Sequence, residues 1–154
     1  MSQKINKEIR INENGSKVFN ALITPSLIKE WWGASQAIVV PDENGVFALS
    51  WGENLDKPIY IASATISEFK PHVKLTLSNY TYLADNEYLP FKANFKLKFR
   101  IQCETKYCIL KLEHSGFPNK SRASQFYSDC DQGWDEALKS LKHLVEMEEI
   151  PAYN

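Results

Sequence analysis

His114 and Tyr127 are the two side chains for which acid–base chemistry can be suggested. A histidine exchanges its proton near neutral pH, and a neighbouring tyrosine hydroxyl could share the transfer. A histidine that faces a core is, however, usually held there by an ordinary hydrogen bond to the main chain. We therefore predict no catalytic residue, and we keep this pair as the candidate for any chemistry that occurs.

Cys103 and Cys108 enclose the segment "CETKYC". If the flanking strands form a hairpin, the two sulfur atoms could form a cross-strand bridge, but in a reducing compartment we expect both thiols to stay reduced. The spacing is at the long limit of a zinc half-site, and no second pair of ligands accompanies it. We therefore predict no metal and no cofactor.

Four carboxylates cluster in the segment "SDCDQGWDE", namely Asp129, Asp131, Asp135 and Glu136. Asp131 and Asp135 are four residues apart and share one flank of a helix, so we interpret the cluster as a solvated helix face. The sequence contains no nucleophile elbow, phosphate-binding loop, zinc-protease motif or dinucleotide fingerprint.

The overall composition is that of a globular domain, with 154 residues, 44% of them hydrophobic, 24% charged, and a net charge of -1. This length fits one domain over residues 1–154 with a sizeable core. A nearly neutral chain gives no reason to expect nucleic acid as a partner. The start "MSQKINKEIR" lacks the apolar run of a signal peptide, and no segment approaches the ~20 apolar residues of a membrane span. We expect a cytoplasmic protein.

Alternating apolar residues predict strands along most of the chain. "KINKEIRI" predicts a first strand, and two short helices follow it, the second beginning at Thr24-Pro25 and ending at Gly33. About six further strands run from "QAIVV" to "YCILKLEHSGF", and their short connections predict an antiparallel sheet. From about residue 121 to 149 apolar residues recur at three- and four-residue steps, which predicts a long terminal helix covering the dry face of the sheet.

The strand "FKANFKLKFRIQ" alternates strictly, so its pairing with the next strand can be predicted. A turn at Thr105-Lys106 places Ile101 opposite Leu110, Phe99 opposite Leu112, and Leu97 opposite His114. The same register places Cys103 opposite Cys108. On the outer side Lys98 faces Glu113, as a plausible ion pair.

Basic side chains line the outer face of these two strands, at Lys92, Lys96, Lys98, Arg100 and Lys111. Nucleic acid or an acidic protein could use such a stripe. The simpler interpretation is a charged sheet face that discourages edge pairing, and it fits a chain that is not basic overall.

Three quoted segments carry a family resemblance: "INENGSKVFNALITPSLIKEWW", "ATISEFKPHVKLTLSN", and "LEHSGF" followed by "GWDEALKSLKHLVE". In order and spacing they resemble the SRPBCC superfamily, also called START-like, and within it the branch named for activators of the heat-shock protein 90 ATPase. The resemblance implies an α+β helix-grip fold, in which a curved antiparallel sheet of about seven strands wraps a long C-terminal helix, with two short helices after the first strand. It also implies an apolar cavity between sheet and helix. Where Asn79 stands, a tryptophan is common in the family, so the pocket wall is expected to be more polar here.

Parity and helical periodicity, together with this resemblance, predict the residues that bind a ligand: Trp32, Trp51, Leu77, Asn79, Phe95, Leu97, Leu112, His114, Trp134 and Leu138. We place Trp32 at the mouth of the cavity, whereas Trp31 anchors the two short helices. Gly133 lies inside the long helix, either because that helix packs tightly on the sheet, which we favour, or because a ligand approaches it closely.

These residues predict a domain that binds a small hydrophobic or aromatic ligand and lacks clear catalytic machinery. The family branch and the basic stripe leave an alternative, a protein-interaction module that regulates a heat-shock ATPase or another protein. A third alternative, also drawn from the resemblance, is an enzyme like the polyketide cyclases.

Overall fold

The structure, a computed structural model, describes residues 2–84, 87–89, 91, 93–119 and 121–153. These residues form three helices: α1 (Gly15–Ile23), α2 (Pro25–Trp32) and α3 (Ser121–Met147). They also form eight strands: β1 (Ser2–Ile11), β2 (Gln36–Val39), β3 (Val46–Trp51), β4 (Tyr60–Lys70), β5 (Lys74–Ala84), β6 (Glu87–Tyr88), β7 (Phe95–Cys103) and β8 (Cys108–Pro118).

The strands form one antiparallel sheet in the order β1-β8-β7-β5-β4-β3-β2, and the two-residue β6 pairs with β5. The helix α3 lies against β1, β8, α1 and α2. This arrangement confirms the predicted α+β helix-grip fold with a long C-terminal helix and two short helices after the first strand. Among the helices of the described residues, none combines the length and the apolar character needed to span a membrane.

Local side chains account for the ends of the two short helices. The side chain of Asn14 accepts a hydrogen bond of 3.0 Å from the main-chain N–H of Lys17 and so caps α1. Pro25 is the first residue of α2, and Gly33 ends that helix in the left-handed region, at φ 78°. The hydroxyl group of Thr24 donates to Asn20 instead of capping α2.

The hairpin of β7 and β8 has the predicted register. Leu97 lies opposite His114, Phe99 opposite Leu112, and Ile101 opposite Leu110. Lys98 also lies opposite Glu113, but the carboxylate of Glu113 forms its ion pair with Lys4, at 3.3 Å. The alternation of apolar and basic residues therefore determines which face of both strands is buried.

Cys103 and Cys108 form a disulfide, contrary to the expectation that both thiols are reduced. The predicted register explains the bond, because it sets the two residues directly opposite each other at the end of the hairpin, with their Cα atoms 4.0 Å apart. Cys103 is exposed and Cys108 is buried.

A β-bulge interrupts β5 at Asn79. Leu77 pairs with Leu97, but the next pairing with β7 is Tyr80 with Phe95, so one additional residue lies between them. Asn79 has a φ of 53° and is exposed, which means that the prediction of an inward Asn79 is wrong. The bulge shifts the inward positions from odd to even numbers, and Tyr80 becomes the buried residue, 1% exposed.

The basic residues lie on the outer face of the sheet, as their parity predicts. Arg100 lies between Lys74 on β5 and Lys111 on β8, so three cationic residues form one row across three strands. Lys96 and Lys98 lie earlier in β7 than Arg100, and Lys92 is outside the described residues.

Candidate aromatic cleft

A cleft of about 820 Å³ opens between the end of α2, the β3–β4 connection and the middle of α3. Its walls carry six aromatic side chains: Trp31, Trp32, Trp51, Tyr60, Tyr82 and Trp134. We call this feature the tryptophan cleft. All four tryptophans of the chain line it, and three of them come from the predicted ligand-binding set.

The adjacent tryptophans of α2 have different environments. Trp31 is 3% exposed, and its indole Nε1 donates a buried hydrogen bond of 2.8 Å to the carbonyl oxygen of Ala21, which ties α2 to α1. Trp32 is partly exposed, and its ring stacks on Trp31 with centroids 4.9 Å apart. Trp31 is therefore part of the scaffold, and Trp32 presents its ring to the cleft.

The remaining tryptophans surround Trp32. Its ring centroid lies 5.1 Å from that of Trp134 and 6.3 Å from that of Trp51. The indole Nε1 of Trp51 donates to the carbonyl oxygen of Trp32, at 3.3 Å, so the end of β3 is joined to the end of α2. These contacts position three rings from three separate elements around one space.

Gly133 also lines the cleft, one residue before Trp134. A Cβ atom added at this glycine would meet nothing within 4 Å. The favoured explanation, tight packing of the helix on the sheet, is therefore wrong. The glycine instead leaves open space at the centre of α3, where a helix would ordinarily gain stability from alanine.

His114 is fully buried behind Trp134. Its Nδ1 atom accepts a hydrogen bond of 3.0 Å from the indole Nε1 of Trp134. Burial lowers the pKa of His114 to about 3, so the imidazole is neutral at physiological pH. Since Nδ1 is the acceptor, the hydrogen resides on Nε2, and this atom has no partner among the described residues.

Tyr80, and not Tyr127, is the tyrosine next to His114. The ring centroids of Tyr80 and His114 are 6.0 Å apart. The hydroxyl group of Tyr82 lies near that of the buried Tyr80 and influences its pKa, but Tyr80 forms no well-aligned hydrogen bond within the described part of the chain. Burial raises the pKa of Tyr80, so this hydroxyl keeps its proton. The hydroxyl group of Tyr127 donates to the carbonyl oxygen of Lys4, at 3.2 Å, and the predicted pair of His114 with Tyr127 is not formed.

The other predicted ligand-binding residues belong to the packed core. Their side chains are 3% exposed or less, and they do not line the cleft; they are Leu77, Phe95, Leu97, Leu112 and Leu138. Prediction missed Tyr80 and Tyr82, because both follow the bulge at Asn79. The segment "SNYTY" carried a usable signal, since asparagine is one of the few residues that adopt a positive φ readily.

Carboxylates surround the mouth of the cleft. Glu30, Asp129 and Glu136 line it, and its lining includes no lysine or arginine among the described residues. Cys130 lies in the same wall, and burial raises the pKa of its thiol to about 12, which leaves it a poor nucleophile.

Asp131 and Asp135 belong to a different surface. Both carboxylates bind the ammonium group of Lys7, at 2.9 and 3.0 Å, and so join α3 to β1. The helix face that was expected to be solvated is therefore only partly so, because Lys7 engages two of its four carboxylates. In the described part of the chain, no group of three or more histidine, cysteine or acidic side chains is placed to hold a metal ion.

Comparisons with known proteins agree with this fold. No curated protein matches the chain. Among solved structures, protein MLL2253 from Mesorhizobium loti has a TM-score of 0.77 at 20% identity, with 96% of this chain and 100% of that chain covered. The Aha1 dimer from Colwellia psychrerythraea has a TM-score of 0.74 at 15% identity, with 96% and 98% covered. CalU16 from Micromonospora echinospora has a TM-score of 0.68 at 23% identity, with 95% and 78% covered.

Because these identities are below 25%, the solved structures establish only the fold. A match to a family model over most of the chain also establishes family membership. The model described as "Activator of Hsp90 ATPase homolog 1-like protein" matches residues 14–146. The matched segment begins at the cap of α1 and ends in the last turn of α3, so it includes both helices that line the cleft. The chain therefore belongs to the Activator of Hsp90 ATPase homolog 1-like family.

Proposed function

We propose that this protein binds a small hydrophobic or aromatic molecule in the tryptophan cleft. The observation that carries the proposal is the cleft itself, about 820 Å³ in volume and walled by aromatic rings from α2, α3 and the sheet. Small-molecule sites are commonly concave and apolar, with volumes of roughly 300–1,000 Å³ and a few polar groups.

The exposure of the rings supports a binding role. Trp32, Trp51 and Tyr82 remain partly exposed although each packs against the core. A planar apolar ligand would remove this surface from water at roughly 25 cal/mol per Å². It could also stack on the indoles, which adds about 0.5–1.5 kcal/mol for each well-placed ring pair.

Gly133 supports the same role from the helix side. A glycine in the middle of a helix costs about 1 kcal/mol relative to alanine, and here it fills no packing requirement. It does leave open space in the wall of the cleft, and a bound ligand would give that space a use.

The proposal is tested by blocking that space. Gly133→Phe places a ring in the cleft, whereas Gln132→Phe places the same ring on an exposed, adjacent position of α3 that does not line it. Native mass spectrometry against a panel of fatty acids, aromatic acids and aromatic ketones should show binding to the wild type and to Gln132→Phe, but not to Gly133→Phe. Equal binding by Gly133→Phe, or no binding to the wild type, contradicts the proposal.

A second candidate is regulation of a heat-shock ATPase or another protein through the outer face of the sheet. The row of Lys74, Arg100 and Lys111 favours it, because like charges on adjacent strands repel each other unless an acidic surface covers them. Lys74 is paired with Glu68, at 3.0 Å, but Arg100 and Lys111 have no ion-pair partner among the described residues.

This candidate is tested with Arg100→Glu combined with Lys111→Glu. The control is Lys139→Glu, an exposed charge reversal on α3. If the basic row binds the ATPase, the double variant loses co-purification and any effect on ATP turnover, while the control keeps both. If the ATPase neither co-purifies with the wild-type protein nor changes its ATP turnover, this candidate function is excluded. That result would not bear on ligand binding.

A further inference from the structure

Two buried polar groups lie next to the tryptophan cleft without partners. They are the Nε2 atom of His114 and the hydroxyl group of Tyr80. Their side chains are 0% and 1% exposed. An unpaired polar group in the interior is costly, and native proteins rarely keep two as neighbours.

Both groups are hydrogen donors. The bond from Trp134 to Nδ1 of His114 leaves the imidazole hydrogen on Nε2, where it can only be donated. The hydroxyl group of Tyr80 stays protonated because burial disfavours the phenolate. The centroids of the two rings are 6.0 Å apart, so the two donors belong to adjacent side chains.

The cleft leads toward this pair. Tyr82 lines the cleft, is partly exposed, and packs edge-to-face on Tyr80 with centroids 4.9 Å apart. Trp134, which also lines the cleft, donates a hydrogen bond to His114. Displacement of the Tyr82 ring would therefore open a path from the cleft to the two donors and leave Trp134 in place.

The charge around the cleft restricts what can enter. Glu30, Asp129 and Glu136 line the mouth, and no cationic side chain among the described residues lines the cleft. A carboxylate moved to the inner end would be desolvated with no positive charge to compensate for it. A neutral carbonyl oxygen accepts two hydrogen bonds without that cost.

We propose that the cleft selects neutral molecules that join an apolar ring system to a carbonyl group, with the carbonyl oxygen bound by Tyr80 and His114. This inference rests on the proposed ligand-binding function, and it adds the chemical class of the ligand and its orientation. The ring system lies among the tryptophans, and the oxygen points toward the core.

Three naphthalene probes that differ only in a small substituent test the inference by isothermal titration calorimetry: 2-acetylnaphthalene, 2-ethylnaphthalene and 2-naphthoate. We expect the ketone to bind about tenfold more tightly than the ethyl compound, a ratio that corresponds to ~1.4 kcal/mol. The naphthoate should bind more weakly than the ketone. Equal binding of ketone and ethyl compound, or tightest binding of the naphthoate, overturns the inference while ligand binding stands.

Two variants distinguish loss of the proposed ligand donor from loss of a tyrosine hydroxyl elsewhere. Tyr80→Phe removes the proposed donor, and Tyr127→Phe is the control. Tyr80→Phe removes one of the two donors and leaves Nε2 of His114, so the fold should persist and the tenfold preference for the ketone should fall to about threefold. Tyr127→Phe, whose hydroxyl group bonds to Lys4, should keep the full preference. A ketone preference that is undiminished in Tyr80→Phe overturns the inference, and failure of all three probes to bind the wild type counts against ligand binding itself.

Discussion

The indole of Trp134 on α3 donates a hydrogen bond of 3.0 Å to Nδ1 of His114 on β8. This bond joins a wall of the tryptophan cleft to the middle of the sheet. It also fixes the tautomer of the imidazole, so one contact determines both the position of a cleft-lining ring and the donor that lies behind it.

Stability should fall in mild acid because of His114. Its pKa in the folded protein is lowered to about 3 from an ordinary value of 6.5, so the unfolded chain binds a proton that the folded protein does not. The contribution is full above pH 6.5 and is lost as the pH falls toward 3, at up to ~1.4 kcal/mol per pH unit. Urea unfolding between about pH 5 and 7 measures this slope, in a range where most carboxylates stay ionised.

His114→Gln isolates that slope, because glutamine offers an acceptor to Trp134 and does not titrate. The variant should be less dependent on pH than the wild type, whereas His143→Gln, at an exposed position of α3, should match the wild type. Identical slopes for wild type and His114→Gln would contradict the assignment.

Gly133→Ala should raise stability and weaken ligand binding together. The new methyl group has open space around it, and alanine favours the helix by roughly 1 kcal/mol. The same methyl group occupies part of the open space in the cleft wall. Thermal unfolding and calorimetric titration with a ligand identified by mass spectrometry give the two readouts. A destabilised variant would show that the glycine is required for packing after all.

Trp31 and Trp32 should respond differently to phenylalanine. Trp31→Phe leaves the buried carbonyl of Ala21 without its donor, which should cost about 1–3 kcal/mol of unfolding free energy. Trp32→Phe breaks no side-chain hydrogen bond to any residue that the structure describes and should cost less, but it should slow or weaken ligand binding. Urea unfolding and binding kinetics distinguish the two. The assignment of scaffold and cleft roles is wrong if Trp32→Phe is the more destabilising change.

Reduction of the disulfide should destabilise the protein without unfolding it. Cys103 and Cys108 are five residues apart in sequence, and the entropy of so short a loop gives roughly 2 kcal/mol. Urea unfolding with and without dithiothreitol measures the difference, and Cys103→Ser should remove the response. The free Cys130 provides the control, since Cys130→Ala should leave the response to reductant unchanged.

Most of the fold could be predicted because the pattern of β7 and β8 repeats without interruption. Strict alternation leaves one register that buries both apolar faces, and the opposition of Leu97 and His114 followed from it. The ends of α2, marked by Pro25 and Gly33, were equally local signals. In each case the neighbouring sequence alone contained the physical reason.

The candidate site was less predictable because it depends on contacts between distant segments. Parity placed Asn79 inside, but one extra residue in β5 turned it outward and brought Tyr80 in. The disulfide likewise depended on redox conditions that spacing does not report. The open space next to the Cα atom of Gly133 depends on how α3 lies relative to the other elements, and the sequence of the helix does not contain that information.

The position of the tryptophans has a spectroscopic consequence. Because all four indoles line one cleft, and the ring centroid of Trp32 lies within 6.3 Å of each of the other three, the tryptophan fluorescence of the protein arises from this one region. Any molecule that enters should change the emission directly, without an attached label. Unfolding followed by the same signal would report the separation of α2, α3 and β3 rather than the loss of the remaining sheet.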